Sequence, residues 1–274
     1  MKKISNKEYV KLLFEILEYV DDLCEKNNIQ YTLTGGSLIG AIRHSDIIPW
    51  DDDIDIALTP ENYDKFKHIM LEQNSRYKFI DNSVEDTYYV PFAKVIDSYT
   101  DVYEGNNRRA EIHGVYIDVF KINNTSNNKF LRNRHYNMVS KFKRIFGIFA
   151  MNDERLKNES NLIKKVRNYF LFKIGCRFFI KRYNRLTSKY NKKQTNYVFS
   201  NWPTYGYDHE TMLKKWYKTY KKTKFGSIDA MVIDNYDEVL KTAFGNYMEL
   251  PPENERIPHH DIEAYWKVND SEKK

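Results

Sequence analysis

Three absences narrow the reading of this sequence before any motif does. No stretch reaches the roughly 18 consecutive apolar residues that a membrane-spanning helix requires, and the opening MKKISNKEYVKLL lacks the apolar block of a secretory signal. The expectation is a chain that stays in the cytosol. Cysteine is nearly missing: Cys24 and Cys176 are the only two, and neither has a partner at metal-ligand spacing, which argues against a disulfide framework and a thiolate metal site. Both read as core thiols. Internal repeats and low-complexity linkers are absent too, so 274 residues form one large domain, or a core with a smaller attachment.

Acidic residues are scarce in one place only. Lys129 to Lys193 holds 3 Asp+Glu against 19 Lys+Arg, a balance of +16, while the remainder holds 35 acidic against 25 basic residues, a balance of −10. An acidic body therefore carries a basic arm, rich in aromatic residues at helical spacing, as in KFKRIFGIFAM and VRNYFLFKIGCRFFIKRYNRL. The expected organisation is a catalytic core over 1–125, the basic helical segment over 126–200, and a C-terminal segment over 201–274 that completes the core and its site.

Ser5 and Glu8 have capping-box spacing, and Val10, Leu13, Phe14, Leu17, Val20 and Cys24 recur at helical intervals, predicting a first helix that ends near Glu25. Tyr31–Leu33 reads as a short strand running into Thr34-Gly35-Gly36-Ser37, and a short helix is expected from the serine onward. Thr59-Pro60-Glu61 opens a helix with Tyr63, Phe66 and Met70 on one side. Further strands are expected at Tyr77–Ile80, Tyr88–Asp97 and Gly114–Ile122, the second interrupted by Pro91. A helix is expected over Asn235–Gly245. The pattern is that of an α/β or α+β core with its strands early.

The stretch IPWDDDIDI places four carboxylates within five residues and then turns apolar. Read as a strand, it puts Asp51, Asp53 and Asp55 on one face, about 7 Å apart, and Ile54, Ile56 and Leu58 on the other. Such carboxylates repel in a partly buried site unless a cation compensates, and a hard divalent ion such as Mg²⁺ is the natural candidate. The rival reading, an acidic turn lying in water, is weakened by two further features. A Gly-Gly-Ser turn upstream can present backbone N–H groups to a phosphate, and Asp118 interrupts the apolar strand GVYIDVFKI on the face it shares with Tyr116 and Phe120.

A Gly-Gly-Ser turn, an Asp-Ile-Asp-Ile strand and a later strand aspartate together resemble the nucleotidyltransferase superfamily. Read whole, GGSLIGAIRHSDIIPWDDDIDIAL resembles the signature of the LicD family of phosphocholine transferases, which is related to the fukutin-related proteins; HGVYIDVF and FGNYMELPPENERIPHH fit it in the same order. The likeness covers roughly residues 8–122 and 225–260 and leaves the basic segment unplaced. It implies an α+β fold of the polymerase-beta-like kind, a mixed sheet flanked by helices, with a basic helical insertion. It implies transfer of phosphocholine, or a related phospho-alcohol, from CDP-choline or another CDP-alcohol to a hydroxyl of a surface glycan or teichoic acid precursor, with release of CMP. Carried over by motif, Asp53, Asp55 and Asp118 are catalytic and hold Mg²⁺ or Mn²⁺, and Asp51 is an additional ligand. Gly36 and Ser37 meet the donor phosphate, and Asp118 is also the base for the attacking hydroxyl.

Substrate-binding candidates beyond these are Arg43, His44 and Lys94 for charge on the leaving phosphate, and Trp50, His259 and His260. Arg43 and Lys94 have a plainer alternative, pairing with an aspartate of the cluster. For a quaternary ammonium, which proteins hold by cation–π contact, Trp50, Trp202, Tyr205 and Tyr207 are the aromatic candidates. The basic arm suits an anionic membrane surface at the inner face of the cell membrane, where a lipid-linked acceptor would sit. Nucleic acid is the rival partner, disfavoured because basic and bulky apolar residues alternate at helical spacing; plain inward packing of the arm is the other alternative. Two other functions stay open: an NTP-dependent nucleotidyltransferase acting on a small molecule or an RNA end, and a non-catalytic binding module at the membrane.

Overall fold

The computed structural model describes residues 1–85, 88–104, 114–150, 156, 158–257 and 262–267. Strand β1 (Lys2–Lys3) leads into helix α1 (Asn6–Lys26), then β2 (Thr32–Leu33), α2 (Gly35–Ile39), a π-helical turn over Gly40–His44, β3 (Asp55–Leu58) and α3 (Pro60–Glu72). Strands β4 (Tyr77–Ile80), β5 (Ala93–Asp97), β6 (Thr100–Glu104) and β7 (Tyr116–Thr125) follow, then helices α4 (Lys129–Phe149), α5 (Leu162–Ile174) and α6 (Cys176–Thr187). The chain ends with β8 (Tyr197–Ser200), α7 (Tyr207–Glu210), β9 (Met212–Leu213), the hairpin β10 (Tyr220–Phe225) and β11 (Ile228–Ile233), α8 (Tyr236–Phe244) and β12 (Ile262–Trp266).

The fold is a mixed sheet flanked by helices. Its strand order is β2-β3-β7-β5-β4, with β3 parallel to β7 and the other pairs antiparallel. Helix α1 starts where Ser5 Oγ accepts the Glu8 backbone N–H at 3.3 Å, and it buries Leu13, Ile16, Leu17, Val20 and Cys24 against the sheet. Val115, Ile117 and Val119 are fully buried at its central strand. Each such aliphatic side chain contributes about 1.5–3 kcal/mol on leaving water, which holds the apolar face of the strand in the core.

β7 is ten residues long and serves two neighbourhoods. Its first half pairs with β3 and β5; its second half, Ile122–Thr125, pairs with β8. Beyond it the basic arm has its own apolar core, in which Tyr136, Val139 and Phe146 of α4 meet Phe179, Ile180 and Tyr183 of α6 and Phe199 of β8. His135 and Asn124 seal the junction: His135 Nε2 donates to Leu186 O at 2.7 Å while its Nδ1 accepts the Thr125 hydroxyl at 3.1 Å, and Asn124 Nδ2 donates to Asn191 O at 3.1 Å. Over α4 and α6 the arm thus buries an apolar core of its own, with Phe130, Leu131, Met138 and Phe178 left exposed.

Several elements differ from the sequence reading. Strand pairing after Tyr88 begins only at Ala93, past Pro91, which has no N–H to give a ladder. β6, β8, β12 and the β10–β11 hairpin were not expected. In β10 Lys221, Lys222 and Lys224 lie at the surface, Lys222 pairing with Asp21, and only Phe225 is fully buried, a weak alternation that resembles loop sequence. The hairpin turns at Gly226, φ +56°, directly on the ring of Phe14, where a Cβ would approach to 2.2 Å.

Candidate active site

The site is assembled around one residue, Asp55, at the start of β3. Its backbone is gripped twice: Thr34 N donates to Asp55 O at 3.0 Å, and Asp55 N donates to Ser37 Oγ at 2.8 Å. The turn between β2 and α2 is therefore tied to the strand that bears the carboxylate. Gly35 adopts φ +57°, and a Cβ there would lie 3.1 Å from Asp55 Oδ2; a Cβ on Gly36 would lie 2.3 Å from Asp51 Oδ2. The glycine pair leaves room for two carboxylates to lie against bare backbone. Ser37 is buried and committed to this backbone contact. The helix after the turn starts at Gly35, two residues before the serine at which it was expected.

A row of charged side chains crosses the sheet from here. Asp55 pairs in register with Asp118 of β7, and Asp118 pairs in register with Lys94 of β5. Lys94 Nζ donates to Asp118 Oδ1 at 2.6 Å and lies 3.2 Å from the Tyr116 ring centroid. Burial holds the Asp55 carboxyl well above the usual carboxylate range, and the charges of Asp53, Asp118 and Asp51 add to the rise; Lys94 opposes it without cancelling it.

Residues 51–54 precede the strand instead of extending it, so the expected alternation of faces does not hold there. Among the described residues, the acidic group whose ligand oxygens lie within 4.8 Å of one another is Asp51, Asp52 and Asp53, with Asp55 and Asp118 outside that group. Asp52 is not among the candidate ligands read from the sequence; a loop, unlike a strand, lets three consecutive carboxylates converge. All the donors are carboxylate oxygens, the set a hard divalent cation prefers. The raised proton affinity of Asp55 marks a place where added positive charge is favourable. The residues present therefore fit such an ion.

The predicted cations divide. Lys94 belongs to the row described above. Arg43 turns away from it and donates to Tyr247 O at 2.7 Å and Glu249 O at 3.1 Å, tying down the C-terminal segment. His44 meets Trp50 edge to face at 6.2 Å, and the guanidinium of Arg256, which the sequence reading missed, stands 5.6 Å over the same indole. Burial and the neighbouring Arg43 hold the His44 imidazole below its ordinary pKa. His259 and His260 lie outside the described residues.

Beside Asp55 opens a cavity of about 140 Å³, lined by Gly35, Phe120, Trp202, Tyr205 and Glu210 among others. Trp202 and Tyr205 line it as the aromatic candidates; Tyr207 does not, since its hydroxyl accepts Arg132 Nε at 3.0 Å and its ring packs on Tyr136. Burial, then the charges of Asp55 and Glu210, push the Tyr205 hydroxyl up to about 12, so it stays protonated at neutral pH. Glu210, also missed from sequence, accepts Thr204 N at 2.6 Å and Gly206 N at 3.3 Å, shaping the loop that carries Tyr205. Only long-range folding brings Glu210 to Asp55.

A family model described as LicD/FKTN/FKRP, nucleotidyltransferase domain, matches residues 28–147. Lipopolysaccharide cholinephosphotransferase LicD of Haemophilus influenzae is 31% identical over 273 residues, 97% of this chain and 99% of that protein. The chain belongs to the LicD family. Short of a few residues the match runs the whole length, so the basic segment, unplaced from sequence, has a LicD-family counterpart as well. Ribitol 5-phosphate transferase FKRP of Mus musculus and of Homo sapiens each match at 45% identity over 53 residues, 19% of this chain and 11% of those proteins.

Proposed function

We propose that this LicD-family chain is a phosphotransferase of nucleotidyltransferase fold that moves phosphocholine from CDP-choline to a hydroxyl of a surface glycan precursor and releases CMP. Lipopolysaccharide is the acceptor class suggested by the full-length relative; a teichoic acid precursor would present the same hydroxyl chemistry. The acceptor is lipid-linked and met at the inner face of the cell membrane.

The observation that carries this reading is the cavity beside Asp55. It sets Trp202, Tyr205 and the Glu210 carboxylate next to Asp55, one of the carboxylates that would bind the diphosphate end of the donor; the Lys143 ammonium already stands 4.3 Å over the Trp202 ring, which leaves Tyr205 as the ring open to a cation. A trimethylammonium group has no hydrogen to donate, and aromatic rings with a nearby negative charge are what hold it. Asp51, Asp53, Asp55 and Asp118, joined by Asp52 from the loop group, would hold Mg²⁺ or Mn²⁺, which when bound supplies charge neutralisation on the diphosphate oxygens. Lys94 orients the Asp118 carboxylate, which accepts the proton of the attacking hydroxyl. Gly35 and Gly36 leave the space in which the Asp55 and Asp51 carboxylates lie against the turn. Phosphoryl transfer needs little else than such positioning and charge placement.

The test is CMP release by purified protein supplied with Mg²⁺, CDP-choline and a glycan acceptor, with CDP-ribitol and CDP-glycerol as rival donors. CDP-choline is expected to be preferred, and Asp53→Ala and Asp55→Ala to abolish turnover. Pyrophosphate release from NTPs with every CDP-alcohol inert would replace this reading with a nucleotidyltransferase of the usual polarity.

A further inference from the structure

Helix α5 divides its residues between two environments. Asn168 is buried, and Leu171 and Phe172 pack on the arm's core. On the other side Leu162 (73% exposed), Ile163 (80%), Val166 (48%), Tyr169 (63%), Phe170 (56%) and Ile174 (53%) stand in water. At 100° per residue these six fall within an arc of about 140°. Lys165 lies beyond one edge of that arc, Arg167 beyond the other, and Lys173 within it. The surface continues onto α6, where Phe178 is 46% exposed with the Arg182 guanidinium 5.0 Å over its ring.

Scattered exposed apolar residues are ordinary; six on one helix face, rimmed by cations, are not. Water is a poor solvent for them, so their partner must offer apolar depth and negative charge together. A second copy of this chain would bring two segments of +16 face to face. Nucleic acid matches the lysines and arginines but gives Leu162, Ile163 and Phe170 nothing to enter. An anionic bilayer offers both, with headgroups for the basic rim and an acyl boundary some 5–10 Å deep for the stripe. No described helix is long and apolar enough to cross a membrane; α5, 13 residues and about 20 Å long, fits flat in the interface.

We propose that α5 is an interfacial anchor that seats the protein on an anionic lipid surface through the Leu162–Ile174 stripe. The inference names the surface behind the membrane location in the preceding reading, and it is measured without any chemistry, so the two fail separately. The experiment is co-sedimentation of the full chain with phosphatidylcholine vesicles, with and without phosphatidylglycerol. Binding is expected only with phosphatidylglycerol and to weaken as salt rises. The pair Ile163→Asp and Phe170→Asp, at solvent-exposed positions, is expected to lower partitioning at least about tenfold with an unchanged melting temperature and unchanged CMP release on soluble substrates. Lys165→Ala and Lys173→Ala, which keep the stripe, are expected to weaken binding about fivefold each. Equal binding to neutral vesicles, no binding to anionic ones, or wild-type binding by the aspartate pair would overturn the proposal. So would a dimer in gel filtration that the aspartate pair dissociates, since the stripe would then face a second copy.

Discussion

Lys94 and Asp118 form an ion pair at 2.6 Å on adjacent strands, and Asp118 in turn stands in register with Asp55. The side chains of Lys94 and Asp118 are only 5% and 13% exposed. Two neighbouring aspartates thus have opposite relations to the fold, one balanced by a cation and one crowded by anions.

Neutralising them therefore has opposite effects on metal-free protein. Asp118→Asn leaves the Lys94 ammonium buried without its carboxylate and is expected to cost about 3 kcal/mol. Asp55→Asn removes a charge that burial, Asp53, Asp118 and Asp51 all disfavour, and is expected to raise the melting temperature while abolishing CMP release. Calorimetry of both variants in chelator is the measurement, and shifts of the same sign would refute the arrangement.

Gly36→Ala separates the site from the fold. Its new Cβ would meet Asp51 Oδ2 at 2.3 Å, and that oxygen is the movable end of a side chain. The carboxylate moves and the backbone stays. Stability within about 1 kcal/mol of wild type is expected alongside at least a tenfold loss of CMP release. A large drop in melting temperature would show that the turn itself needs the glycine.

Tyr205 tests the cation cavity. Replacing its ring by leucine removes one π face, and for one such contact of about 0.5–2 kcal/mol a rise of roughly 2- to 30-fold in KM for CDP-choline follows. CDP-ribitol, lacking a cation, is expected to be indifferent to the change. Equal losses for both donors would place the cargo elsewhere.

His135 predicts a pH dependence in the junction between sheet and arm. Burial holds its imidazole below the ordinary value of 6.5, with the Leu186 carbonyl pulling the other way. A base with a depressed folded pKa contributes full stability above its unfolded pKa and loses it as pH falls below about 6.5, levelling off at the folded value. Thermal melts between pH 8 and pH 5 are expected to show a decline that His135→Gln reduces.

How far the sequence disclosed this molecule depended on the range of the interactions involved. Helix α1, its serine cap and the buried set Ile54, Ile56 and Leu58 follow from local periodicity. The pairing of Asp55 with Asp118 rests on strands 63 positions apart, yet an acid amid the apolar GVYIDVFKI signalled that something must meet it. Glu210 and Arg256 gave no such signal, because nothing in their local sequence distinguishes them from surface charges. Asp52 was left out of the ligand set because a two-residue alternation was extended into a stretch that is loop. Arg43 was read by charge alone, whereas its role in the fold is to hold the carbonyls of Tyr247 and Glu249.

The long central strand adds a constraint on how this chain can change. Asp118 and the Ile122–Thr125 ladder to β8 share one continuous run of backbone. Deleting a single residue between them would turn every downstream side chain to the opposite face, unseating the arm from its sheet edge, while compensation upstream would rotate the aspartate away from Asp55. The stretch from 118 to 122 therefore behaves as a gauge of fixed length, tolerant of exchanged side chains and intolerant of gained or lost positions.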